Sequence, residues 1–86
     1  MTYSLRIKKS AAKALAKIAK PDRLRLIEAI DRLCNEPHAG GVLKGEFSGL
    51  RRLRVGDYRI VYEVIDDELV VLVIRVGHRS AVYKAR

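Results

Sequence analysis

A single cysteine, Cys34, excludes an internal disulfide in this 86-residue chain. It falls near the apolar stripe of an expected helix, where its role is that of a small buried hydrophobe. No apolar run approaches the ~20 residues of a membrane span and no signal-peptide pattern opens the sequence, so a cytoplasmic protein without a membrane partner is expected. Metal-binding signatures are missing as well. There is no HExxH, no paired-cysteine motif and no convincing acidic cluster, so neither a metal nor a cofactor is expected. The glycine-rich stretch from His38 to Gly45 matches neither a Walker loop nor a dinucleotide fingerprint. Ser10, Ser48 and Ser80 lack a visible base and orienting acid, which sets serine nucleophiles aside.

Acidic residues are also scarce: 10 Asp plus Glu face 18 Lys plus Arg, for a net charge of +8. Such a field draws nucleic acid, an anionic membrane or an acidic protein partner. Its distribution narrows the choice. Lys8, Lys9, Lys13, Lys17 and Lys20 gather early, whereas arginines dominate after Arg51. A guanidinium fork matches phosphate oxygens two at a time, while lysine is a point charge on a floppy stem. The arginine cluster is therefore the better site, and the lysines read as solvated helix surface with accessory phosphate contact as the lesser role.

The length suits one small domain over residues 1–86, with a single core and no separate catalytic lobe. Met1 to Lys8 alternates Tyr3, Leu5 and Ile7 against Ser4 and Arg6, the pattern of a short strand. Ser10 is the expected cap of a helix that turns Ala11, Ala14, Leu15, Ile18 and Ala19 inward and ends at Pro21. A second helix follows, with Leu24, Ile27, Ile30, Leu33 and Cys34 as its inner stripe and Arg23, Arg25, Glu28 and Arg32 mostly outside. A glycine-bearing loop from Asn35 to Gly49 then crosses to the sheet. The expected fold is α+β: an N-terminal strand, an αα-hairpin, then a mainly antiparallel three-strand meander, forming one sheet with two helices on one face.

Leu50 to Tyr83 organises the rest. Gly56-Asp57 separates two alternating runs, which is the signature of a hairpin with a primed turn. A two-residue loop pairs Val55 with Tyr58, Arg54 with Arg59, Leu53 with Ile60 and Arg52 with Val61. Leu53, Val55, Tyr58, Ile60 and Tyr62 then share one face, and Arg52, Arg54 and Arg59 share the other. Directly opposed arginines cost stability, which points to an anionic ligand over them. At Asp66-Asp67-Glu68, a three-residue loop pairs Arg59 with Arg75, Val61 with Val73 and Tyr62 with Leu72. It also turns Val70, Leu72, Ile74 and Val76 to the core. A two-residue loop would put Arg75 on the apolar face, so the longer loop is expected. Gly77 then releases the chain, and His78 and Arg79 emerge at the end of the sheet.

An arginine-lined sheet face with a histidine and a tyrosine near its edge suits a phosphodiester. RNA cleavage by its own 2′-hydroxyl needs removal of that proton, charge stabilisation on the phosphorane and protonation of the departing 5′ oxygen. Arginines supply the second role well and the first badly, since their pKa stays above ~12.

The residues resemble the RelE branch of the RelE/ParE toxin superfamily over nearly the whole chain. The likeness is sharpest at Leu43-Lys44-Gly45, at Leu50 to Glu63, and at Val76-Gly77-His78-Arg79 followed by Tyr83. It implies a toxin of a type II toxin–antitoxin system that cuts mRNA in the ribosomal A site without metal. It also implies a small acidic RelB-like antitoxin, and operator DNA bound only through the antitoxin complex. By position, Arg52 and Arg54 fall on basic catalytic residues of the family's sheet, Arg59 on its phosphate-stabilising arginine, Arg79 on the arginine that protonates the leaving group, and Tyr83 on a base-stacking tyrosine. Arg51, Arg75 and Lys44 are expected as further RNA contacts. Some members carry lysines where this chain has Arg52 and Arg54, which leaves the general base open, with His78 as a candidate acid or base. Glu46 and Glu63 read better as salt-bridge partners than as bases, and His38 as a loop residue. The rival readings are a ParE-like toxin that poisons DNA gyrase and a non-catalytic RNA-binding relative.

Overall fold

A computed structural model describes residues 2–45 and 49–78. Strand β1 (Ser4–Ile7) leads into helix α1 (Lys9–Ala16) and helix α2 (Asp22–Leu33). There follow β2 (Gly41–Val42), β3 (Arg51–Val55), β4 (Tyr58–Ile65), a 3₁₀ turn (Asp66–Glu68) and β5 (Val70–His78). The five strands form one sheet in the order β1-β5-β4-β3-β2, with β1 parallel to β5 and the other pairs antiparallel. This is the expected α+β arrangement, with β2 added at the edge out of the expected loop.

Both helices pack on one sheet face. Ala11, Leu15, Leu26, Ala29, Ile30 and Leu33 meet Ile60, Tyr62, Val71, Val73 and Val76 there, with Leu53, Val55 and Tyr58 packed against them. The helices differ from expectation in several details: α1 ends at Ala16, short of Pro21, and Ala19 is exposed. Helix α1 begins two residues early, so Ser10 lies inside its first turn; Lys8 stands at the cap position, without a side-chain cap. The cause is the strand before it, because the Lys8 N–H still bonds the Val73 carbonyl as β1 ends. Helix α2 carries two apolar seams, and the buried one is Leu26, Ala29, Ile30 and Leu33, at i, i+3, i+4 and i+7. Leu24 and Ile27, expected inside, are 52% and 40% exposed. Cys34 is half-buried, and burial, with Asp31 adding, pushes its thiol above the ordinary value.

The β3–β4 hairpin has the expected register, from Val55 opposite Tyr58 to Arg52 opposite Val61. Gly56 takes φ +60° at the first turn position, which only glycine adopts readily. The β4–β5 register is a correction. Its connection spans four residues, Asp66 to Leu69, and ends with Leu69 in the left-handed region at φ 55°. Ile65 therefore faces Val70 and Tyr62 faces Val73, not Leu72. Continued unbroken, that ladder would set Arg75 opposite Ile60 in the core. A bulge between Val61 and Tyr62 on the ladder, where β5 carries Ile74 as the extra residue, shifts the register by one. Arg75 then faces Val61 and Val76 faces Ile60. The inward residues of β5 are Val71, Val73 and Val76, in place of the expected Val70, Leu72, Ile74 and Val76.

Candidate nucleic-acid interface

Cross-strand partners share a face, so the ladders map the side of the sheet away from the helices. One row across it reads Arg52, Val61, Arg75, and the next reads Arg54, Arg59, Gly77. Arg54 is exposed; Arg52, Arg59 and Arg75 are half-buried. Val61 is only 2% exposed although it faces away from α1 and α2, and its two cross-strand neighbours are Arg52 and Arg75. Long aliphatic stems cover apolar ground in this way while their charged heads stay in water. At the hairpin end, Arg54, Gly56, Asp57 and Arg59 line a depression of about 200 Å³. Gly77 beside Arg59 adds no side chain to it.

The structure brings Arg52, Arg54, Arg59 and Arg75 together and separates three other expected site residues from them. Arg51 pairs with Tyr62 and so points to the helix side, where its guanidinium donates to the Gly40 carbonyl at 2.8 Å and the His38 carbonyl at 3.4 Å. It clamps a loop and does not belong to the arginine face. His78 is still part of β5 and pairs with Tyr58, whose ring it meets edge-on at 5.8 Å between centroids. Its imidazole thus lies on the helix side, because the bulge upstream had already set the parity of the strand end. Lys44 is exposed in the loop beyond β2. Arg79, Tyr83 and Glu46 lie outside the described residues. Sequence reasoning missed Arg6, which sits on β1 opposite Leu72 and so on the arginine side. Its signal was the alternation of β1, unusable until β1 had a place in the sheet.

Behind the arginine rows, Tyr62 holds the preceding loop to the sheet. Its buried hydroxyl donates to the Pro37 carbonyl and accepts the Gly40 N–H, both at 2.9 Å. A Cβ on Gly40 would lie 2.6 Å from the Arg52 carbonyl oxygen and 2.7 Å from that hydroxyl. Tyr3 donates to Asp66 at 2.6 Å, and His38 approaches the same carboxylate oxygen at 3.5 Å, which ties β1 and the loop to the β4–β5 turn. Tyr62→Phe is expected to lower stability by about 2 kcal/mol in chemical denaturation, because it leaves a buried N–H and a buried C=O unpaired. Burial pushes the Tyr62 phenol above its usual 10.0, against smaller lowering from the Gly40 bond and the Arg51 charge. Its contribution is therefore fully present below pH ~10 and is lost as the pH climbs through the raised folded value. Alkaline melts should show the loss in the parent and less of it in Tyr62→Phe.

A family model for the ParE toxin of type II toxin–antitoxin systems matches residues 5–83. The chain belongs to the ParE toxin family, as a RelE-type toxin. Toxin RelG of Mycobacterium tuberculosis is 31% identical to this toxin over 98% of the chain and 99% of its own length. Toxin RelE of the same organism is 33% identical over 95% of the chain and 87% of its own length. Among solved structures, the RelBE2 toxin–antitoxin complex of M. tuberculosis superposes with a TM-score of 0.85 at 30% identity, covering 92% of this toxin and 100% of that chain. The archaeal RelE–RelB complex of Pyrococcus horikoshii gives a TM-score of 0.76 at 34% identity, covering 94% and 99%.

Proposed function

We propose that this toxin is a ribosome-dependent endoribonuclease that cuts mRNA in the A site and so halts translation in the cytoplasm. The observation that carries the reading is the opposed Arg54–Arg59 pair beside Gly77, over a depression open to solvent. Two cations held face to face on rigid strands are stabilised by an anion between them, and a pentacoordinate phosphorane carries more charge than the ground-state diester. The 2′-hydroxyl gives up its proton to solvent water as its oxygen bonds the adjacent phosphorus, the bond to the 5′ oxygen breaks, that oxygen takes up a proton, and a 2′,3′-cyclic phosphate remains. Arg59 and Arg54 hold the phosphoryl oxygens, while Arg52 and Arg75 position the flanking backbone. By the family resemblance, Arg79 protonates the leaving oxygen and Tyr83 stacks on a base. His78, turned to the helix side, drops out of the acid–base roles.

The RelE and RelB names of the relatives support an antitoxin partner. At +8 the toxin attracts an acidic chain, whose complex would be the form that meets operator DNA. Expression without antitoxin should arrest growth, and primer extension on ribosome-bound message should show A-site cuts. Intact messages together with blocked DNA supercoiling would overturn this reading in favour of a gyrase poison. Intact messages with normal supercoiling would leave a non-catalytic RNA-binding relative.

A further inference from the structure

A second basic surface is built into the fold. Between Lys8 and Lys20 the sequence carries five lysines and no acid. All five are exposed. Lys9, Lys13 and Lys17 recur at i, i+4 and i+8, so successive ammoniums stand about 6 Å apart along the axis. Part of the arrangement works against the helix that carries it. Like charges at i, i+4 destabilise a helix. At the N-terminus Lys9 opposes the macrodipole, with neither an acidic residue in the first turn nor a side-chain cap, whereas Lys13 in the last turn and Lys17 at the C-cap favour it. Local choices that contradict the fold mark positions kept for another purpose.

The stripe begins where β1, which carries Arg6 on the arginine side, ends. Arg6 stands beside Leu72 on that face, and Lys8 follows it at the end of β1, its N–H bonded to the Val73 carbonyl, two residues before Arg75. We propose that Arg6, Lys8, Lys9, Lys13 and Lys17 track the phosphate backbone of double-helical RNA and dock the toxin on structured ribosomal RNA. The proposal rests on the ribosome-dependent reading above and names the docking surface for it. Flexible point charges suit contacts that position without reading sequence, which is how RNA duplexes are bound. An acidic protein is the poorer fit. Between its lysines the exposed residues of α1 are only Ser10, Ala12 and Ala16, whereas protein interfaces are poor in lysine and anchored by aromatic, Met and Arg side chains.

The test compares the parent with a triple Lys9→Gln, Lys13→Gln, Lys17→Gln variant and with the matching triple Lys→Arg variant. Single-turnover cleavage is followed against ribosome concentration. Binding to an RNA duplex of about 16 base pairs is followed by anisotropy at several salt concentrations. The Gln variant should need roughly 10-fold more ribosome for half-saturation at an unchanged plateau rate, and the slope of log affinity against log salt should fall by about one per lysine. The Arg variant should behave as the parent, and the Gln variant should melt no lower. Unchanged half-saturation and salt slope would overturn the proposal, as would a loss confined to the plateau rate. Unchanged duplex binding with weakened binding of purified antitoxin would assign the stripe to a protein partner and also overturn it. Duplex binding needs no cleavage, so a parent that binds the duplex through the stripe but cuts no message would sink the nuclease reading alone.

Discussion

Arg59→Ala is expected to slow single-turnover cleavage on programmed ribosomes by ~10²–10³, equivalent to roughly 3–4 kcal/mol of transition-state stabilisation. The size follows from preorganisation. Arg59 lies inside β4, paired on one side with Arg54 and on the other with Gly77, so its backbone is held by two ladders. It is half-buried, whereas Arg54 is exposed at the outer strand. Less reorganisation remains to be done at the moment of reaction, and the loss for Arg54→Ala should accordingly be smaller. Arg59→Lys should recover part of the rate, since it restores charge without the bidentate fork. Thermal melts should show Arg59→Ala still folded, because the side chain lies on the sheet face away from the core under the helices. Near-normal cutting by a folded Arg59→Ala would remove the active site from this sheet face.

Gly40→Ala is the substitution expected to unsettle the fold most from outside the core. The added Cβ would meet the Arg52 carbonyl oxygen at 2.6 Å and the Tyr62 hydroxyl at 2.7 Å, distances that no side-chain rotation can relieve on the backbone side. Overpacking of this kind costs about 1–3 kcal/mol. Moving the loop away to relieve it also breaks the bond between the Gly40 N–H and the buried Tyr62 hydroxyl, which adds another ~1–3 kcal/mol. A melting temperature lower by at least ~10 °C follows at 4–8 °C per kcal/mol. Arg52 stands on the strand that must yield, so cleavage by the surviving folded fraction should fall as well. An unchanged melting temperature would mean that the loop is not seated on Tyr62 as described.

The first hairpin was legible because its two-residue turn leaves no freedom: once Gly56 and Asp57 are the loop, every partner from Val55 to Arg52 is set. The second was not. Asp66-Asp67-Glu68 looks like a complete turn, but Leu69 adopts a left-handed conformation that a leucine does not advertise, and the connection becomes one residue longer. The bulge was hidden for a related reason. Val70 to Ile74 is aliphatic throughout, so hydrophobic alternation carries no parity there. Arg75 was nonetheless placed on the correct face, since only that face keeps a guanidinium out of the core. Helix α2 was read correctly at Ile30 and Leu33 but not before them, because Leu24 and Ile27 lead into that pair as plausibly as Leu26 and Ala29 do. His78 and Arg51 were assigned by nearness in sequence to arginines that alternate away from them.

The bulge at Ile74 has a consequence for how the chain can change length. Suppose one residue is deleted anywhere from Val70 to Ile74. The ladder can close over the vacancy by surrendering the bulge, and whichever of Val, Leu or Ile arrives at each inward position is still aliphatic. Arg75 keeps its place beside Val61, and Val76 keeps its place opposite Ile60. Such a deletion should cost about 1 kcal/mol of altered packing and leave the arginine rows aligned. A deletion between Arg75 and Gly77 has no such reserve and reverses the strand end. The uninterrupted aliphatic segment and the irregular ladder together act as a slack length of chain, so the turn-side half of the sheet can gain or lose a residue while the functional half stays in register.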